Sequence, residues 1–229
     1  MSSPRGTLTL DPTDPAPRSG TPEFAALTAR ERLLLAAMEC AGQWGVAKTT
    51  MDDVARVAGC GRATVYRVFP DGKPELFRSA AQANIGRVLL RLGEQLGTAE
   101  SLEALVVSGV HGAAILSAES PALQYLLEHE PHVAAPHLSF HRLEVLLATA
   151  RTVLSPLAQR FVDPRTADRL VELAARVVVT YTFLPAPGID LTDRATARRV
   201  ARRYILGPLG GSLDPAGPST NPSHEQPTP

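Results

Sequence analysis

An all-α fold is what this sequence predicts, on three observations. Its apolar residues recur at intervals of three and four. Its prolines fall at the starts of those segments rather than along alternating ones. A hydroxyl or carboxylate residue stands just ahead of several of them, where a helix needs a cap. At 229 residues the chain has room for a small domain joined to a larger one.

In chain order, residues 1–24 are rich in Pro, Thr, Ser and Gly and read as a disordered tail, because ordering them costs more entropy than their burial returns. Thr28-Ala-Arg-Glu31 forms a capping box that opens a helix with Leu34, Met38 and Ala41 on one stripe, expected to stop near Trp44-Gly45. Thr50 to Asp53 is a second such start. From about Glu75 to Leu96 a longer helix carries Phe77, Ala80, Asn84, Val88, Leu92 and Leu96, an apolar seam broken only by Asn84. Further helices are predicted at 101–117, at 121–130 after Ser120-Pro121, at 139–161, at 164–184 after Asp163-Pro164, and at 193–205. Residues 208–229 repeat the composition of a tail. The domains so read are 25–74 and 75–207.

Composition narrows the function. The 23 basic and 23 acidic residues cancel, so any nucleic-acid signal has to be local. Cys40 and Cys60 form neither a disulfide framework nor a zinc-type pair, so a reduced compartment is expected. The first 20 residues lack the apolar core of a signal peptide, and no later stretch approaches the roughly 18 uncharged apolar residues a membrane span needs. The expectation is a cytoplasmic protein that is not membrane-bound. No Ser-His-Asp order, phosphate loop or paired-acid signature is present, so an enzyme is not expected, and no cofactor is implied.

The informative stretch is 50–69. Residues 51–58 turn Val54, Ala55 and Ala58 inward, and 62–69 do so with Ala63, Val65 and Phe69. Each segment is about two turns, too short to stand alone. Gly59 can take positive φ to end the first, and Gly61 can cap the second, so the chain turns over Cys60. This is a helix-turn-helix. In such a motif the first helix braces across the duplex backbone and the second presents its N-terminal half to base edges in the major groove. Arg62, Thr64, Tyr66 and Arg67 supply a guanidinium fork, a hydroxyl and a phenol there. The competing reading is two short helices around a glycine in an ordinary bundle.

From Arg30 to Phe77 the chain resembles the TetR family of transcriptional regulators. The resemblance rests on Arg32, Ala36, Ala37, Gly45, Thr49, Thr50, Val54, Ala55, Ala58, Gly59, Arg62 to Tyr66, Phe69, Lys73, Leu76 and Phe77, about a quarter of the protein. It implies a three-helix DNA-binding module in which Thr50 caps its helix near a phosphate. It further implies that Arg62, Ala63, Thr64 and Arg67 face bases and that Tyr66 and Lys73 touch the backbone. Met51, beside Thr50, joins this candidate DNA-binding set. Gly61 stands where the family has a serine cap, and Ala41 where it has a bulky aromatic. The Phe-Pro-Asp-Gly-Lys turn is one residue longer than the usual spacing. Trp44 is expected to fill the space beside Ala41. Between Ala25 and Ala80, eight basic residues against six acidic ones leave only +2. Affinity is therefore expected from placed phosphate contacts and from a second module in a homodimer.

For the remaining two thirds, the resemblance implies a variable small-molecule pocket and a four-helix bundle joining two subunits, here at about 164–184 and 193–205. Leu170, Ala174, Val177, Val178 and Tyr181 form a stripe that suits either internal core or subunit contact. His111, Tyr125, Phe140 and Phe183 are candidate pocket walls, with ordinary core as the competing reading. Only Arg142 is cationic between 101 and 150, which favours an apolar or weakly polar effector. His129, His132, His137 and His141 cluster, but Pro131 and Pro136 break any single helix carrying them, and no metal site is expected. Cys60 as an oxidation sensor lacks an assured basic neighbour other than Arg62. The reading is a homodimeric repressor on a palindromic operator in double-stranded DNA, released by a small effector. Its alternative is an effector-independent dimeric regulator whose C-terminal domain serves assembly or a protein partner.

Overall fold

The computed structural model describes residues 19–134 and 140–209, so most of both expected tails lies outside it. Among the described residues the elements are helices, with no strand. A short α1 (Pro22–Ala26) begins inside the segment expected as a tail. It is held there because Phe24 is buried against Leu27 and Leu35. Then come α2 (Ala29–Lys48), α3 (Met51–Val57), α4 (Arg62–Val68) and α5 (Lys73–Leu96). The C-terminal part holds α6 (Leu102–Ala118), α7 (Pro121–His129), α8 (Pro131–Ala134), α9 (Phe140–Ala158), α10 (Pro164–Phe183) and α11 (Arg194–Val200). A π turn over Ala201–Leu206 continues α11.

Caps set the starts as the sequence predicts. Thr28 accepts from the Glu31 amide while the Thr28 amide donates to Glu31. Ser120 receives the Leu123 amide, and Asp163 and Asp193 receive the amides at the first turns of α10 and α11. One boundary differs: α2 does not stop at Trp44-Gly45 but breaks at Gly45, whose φ of 82° and ψ of 164° are not helical, and resumes to Lys48.

Two bodies of packing result. The head comprises α2 to α4 and the start of α5, around Leu33, Cys40, Val54, Val65, Phe69 and Leu76, all shut off from solvent. Burial pushes the Cys40 thiol up to about 11. The body comprises the rest of α5 with α6 to α11, around Val110, Leu170 and Ile205 on one side and Leu92, Ala150 and Ala167 on the other. Helix α5 belongs to both, giving Leu76 and Ala80 to the head and Leu92 and Leu96 to the body. Its far end is fastened where Arg160 donates to Gly97 O and Ala99 O at 2.7 and 3.1 Å.

Candidate nucleic-acid interface and effector cavity

Helix α3 is locked at its start by a reciprocal cap. The Thr50 amide and hydroxyl donate to Asp53 Oδ2 at 2.9 and 2.6 Å, and the Asp53 amide donates back to Thr50 Oγ1 at 3.1 Å. The Thr50 hydroxyl and amide hold the Asp53 carboxyl below its ordinary range. The helix ends at Gly59, whose φ of 60° only glycine adopts without strain. Arg32 braces the turn from α2: its Nε donates to Ala58 O at 3.1 Å, one Nη to Leu27 O at 2.9 Å, and the other reaches Cys60 Sγ at 3.5 Å. Arg32 is thus a basic neighbour of Cys60 that the sequence did not indicate.

Helix α4 starts at Gly61 without a side-chain cap. Val65 and Phe69 anchor it in the head core, which leaves Arg62, Ala63, Tyr66 and Arg67 exposed on one outward ridge and Thr64 half-buried at its edge. The Arg62 guanidinium pairs with Asp52 at 2.7 Å and lies 5.6 Å from the Tyr66 ring centre. Both members of that ion pair are more than half exposed, so it holds the guanidinium only loosely. Met51 differs from expectation. Its side chain is buried in the head core, because the first turn of α3 packs on α2, so that side chain does not reach a duplex. Lys73 donates its ammonium to Ala47 O at 2.9 Å, closing the end of α2. Burial lowers its pKa below the ordinary lysine value, and the Glu130 carboxylate partly opposes that.

Behind the head lies a cavity of about 350 Å³. Its walls come from α5 (Asn84, Val88), α6 (Val106, Val110), α9 (Ala150, Leu154) and α10 (Val178, Phe183). Met38, Ala41 and Val46 of α2 and Leu123 and Leu126 of α7 close the end nearest the head. Asn84, Ser117, Ser120 and Thr182 are its polar groups, and no ionisable side chain lines it among the described residues. Such a volume suits a small apolar molecule oriented by one or two hydrogen bonds. The space beside Ala41 is therefore part of the cavity. Trp44 does not fill it, and packs instead at the margin of the head core with the Arg56 guanidinium 5.6 Å from its ring.

The sequence profile described as bacterial regulatory proteins, tetR family, matches residues 33–80. Two HTH-type transcriptional regulators of Mycobacterium tuberculosis, from strains CDC 1551 and H37Rv, are each 30% identical over 184 residues, covering 78% of this chain and 84% of theirs. The chain belongs to the TetR family. It is a DNA-binding transcriptional regulator, not an enzyme. Solved structures agree on the fold. The TetR-family repressor AlkX from Dietzia superposes with a TM-score of 0.57 at 18% identity, over 82% of this chain and 97% of that one. The fatty acid degradation regulator FadR from Bacillus halodurans gives 0.53 at 20%, over 80% and 97%.

Within this TetR-family chain the expected pocket residues separate. Phe183 lines the cavity, whereas His111 and Tyr125 do not. His111 Nδ1 sits 3.2 Å from Leu191 O, and the Tyr125 ring stacks on His129 with centres 4.5 Å apart. The side chains of Phe140 and His141, and His137 altogether, lie outside the described residues. The α10 stripe left open by sequence turns Leu170, Ala174 and Val178 toward the cavity. No single helix among the described residues is long and apolar enough to cross a membrane. Sequence reasoning missed Met38, Leu123 and Leu126 as walls, although Asn84 in an apolar seam already signalled a place where packing was incomplete.

Proposed function

We propose that the protein is a homodimeric repressor that grips a palindromic operator through the α4 ridge of each subunit. A small apolar or weakly polar effector entering the cavity releases it. The observation that carries this reading is the position of the cavity, which is walled at one end by α2 of the head and along its length by α5, the helix both bodies share. An occupant that spreads those walls favours a head spacing other than the roughly 34 Å between successive major grooves on one face.

The lining supports the effector's chemistry. With Asn84, Ser117, Ser120 and Thr182 as the polar groups, a free carboxylate or phosphate inside would be left without a counter-charge, at a cost no such cavity recovers. AlkX is implicated in biodegradation of n-alkanes, and FadR is a regulator of fatty acid degradation. An uncharged chain-like molecule is the kind of ligand this lining accepts. The roles of Thr50, Arg62, Ala63, Thr64, Tyr66, Arg67 and Lys73 follow: Arg62, Ala63, Thr64 and Arg67 toward bases, the others toward phosphates.

The decisive experiment selects bound sequences from random duplex DNA with the full chain, then adds uncharged apolar compounds to the complex. A palindromic consensus bound two chains per site, and released by a compound that also raises the melting temperature, is the expected result. One chain per site, or a consensus without symmetry, overturns the dimeric reading. Release by no compound, with no thermal shift, leaves the body as an assembly domain.

A further inference from the structure

The break at Gly45 exposes the amides that follow it. Val46 to Lys48 restart a helical turn, and the first N–H groups of any such turn have no partner within it. Here they find one from another part of the molecule. The Val46 and Ala47 amides donate to Glu130 Oε2 and Oε1 at 2.8 and 2.9 Å, across more than 80 residues of sequence. Glu130 is the C-cap of α7 and only 6% exposed. A Cβ at Gly45 would run into both the Tyr125 ring of α7 and that carboxylate, so the break and the grip are built for each other.

The gripped turn leads straight to the reading helices. Thr49 Oγ1 donates to Gly45 O at 2.6 Å, and the next residue, Thr50, caps α3. Lys73 holds the other side of the turn through Ala47 O. A carboxylate accepting two amides makes shorter and stronger bonds than a neutral acceptor.

We propose that Glu130 is a positioning residue for operator recognition. Carried on the body, its carboxylate fixes the turn from which α3 and α4 are hung, and so sets the angle at which the α4 ridge meets DNA. Resting on the effector reading above, the same grip is where a cavity ligand meets the head, since α7 also contributes Leu123 and Leu126 to the cavity wall.

The test uses the full chain with E130Q, which keeps the shape but offers one amide a donor instead of an acceptor, and E130D, which keeps the charge but falls a methylene short. Trp44, the single tryptophan, adjoins the break and reports on it without a label. In a variant of native helicity we expect operator affinity to fall roughly tenfold or more, as the loss of one hydrogen bond to a charged group implies. Affinity for random duplex at the same salt should change less than about twofold, because phosphate contacts are kept. Val46 and Ala47 amides should exchange faster, with a shift in Trp44 emission. Unchanged operator affinity and emission in either folded variant overturns the proposal, as does an equal loss on operator and random DNA. If E130Q behaves as expected but no compound releases the wild type, the effector reading fails and the positioning role stands. If compounds release a wild type indistinguishable from E130Q, the positioning role fails alone.

Discussion

In the head, Leu33, Val54, Val65, Phe69 and Leu76 close around one another with no exposure, whereas the body arranges comparable residues around a void of about 350 Å³. The contrast follows from what each must do. Two-turn helices such as α3 and α4 have almost no stability of their own, so every contact that fixes their angle has to come from packing. The body has long helices with their own hydrogen-bond ladders and can leave part of its interior unfilled. Solid packing belongs to the part whose short helices must hold one geometry, and the hole to the part whose long helices stand without it.

The largest test of this contrast is Phe69→Ala. It should cost about 3–5 kcal/mol in chemical denaturation, since Phe69 anchors α4 from a site with no room to relax. A loss below about 1 kcal/mol would mean the head is not solid. Next, the same substitution in the two regions should behave differently. Ala36→Leu in the closed head core should cost about 1–3 kcal/mol through overpacking. Ala113→Leu points added atoms into the void and should change stability by under about 1 kcal/mol while abolishing any ligand-induced thermal shift. Equal costs would erase the distinction.

At the DNA face, Arg62→Ala should weaken operator binding by roughly 1–3 kcal/mol and relax one position of the consensus, while Lys73→Ala, which removes both a phosphate contact and the brace on Ala47 O, weakens every sequence without relaxing any one position. Titrations on operator and random duplex separate the two, and identical profiles would refute the division of roles. The smallest effect is on pH. The Asp53, Asp163 and Asp193 carboxyls are held below 3.8 chiefly by the hydroxyls of Thr50, Thr166 and Thr196. A lowered folded pKa gives stability that is complete above the unfolded value and lost as pH falls through the folded one. The melting-temperature gap between wild type and D53N/D163N/D193N should therefore hold steady from about pH 7 to 5 and shrink below about 4. A gap that widens in acid contradicts the assignment.

Much of the head was legible because its signals are local. Thr50 and Asp53 three residues apart, Gly59 where the chain reverses, and Val65 and Phe69 at helical spacing each state their role within one turn of chain. Met51 was misjudged because which side of a first turn faces inward depends on α2, not on its own neighbours. Helix extents in the body were legible to within a few residues, through Ser120-Pro121 and Asp163-Pro164. Which apolar residues line the void was not, since His111 and Tyr125 differ from Phe183 only in their tertiary neighbours. Glu130 was the least legible of all, because its partners are backbone amides more than 80 residues away that only the break at Gly45 sets free.

Helix α5 runs 24 residues from Lys73 to Leu96, about 36 Å, with one end sunk in each region. A rod of that length is a lever arm. Pivoting it by about 5° at Leu92 sweeps Leu76, about 24 Å away, through about 2 Å, most of the length of a hydrogen bond. An adjustment of a few degrees deep in the interior is thus enlarged at the head beyond what the geometry of a hydrogen bond tolerates.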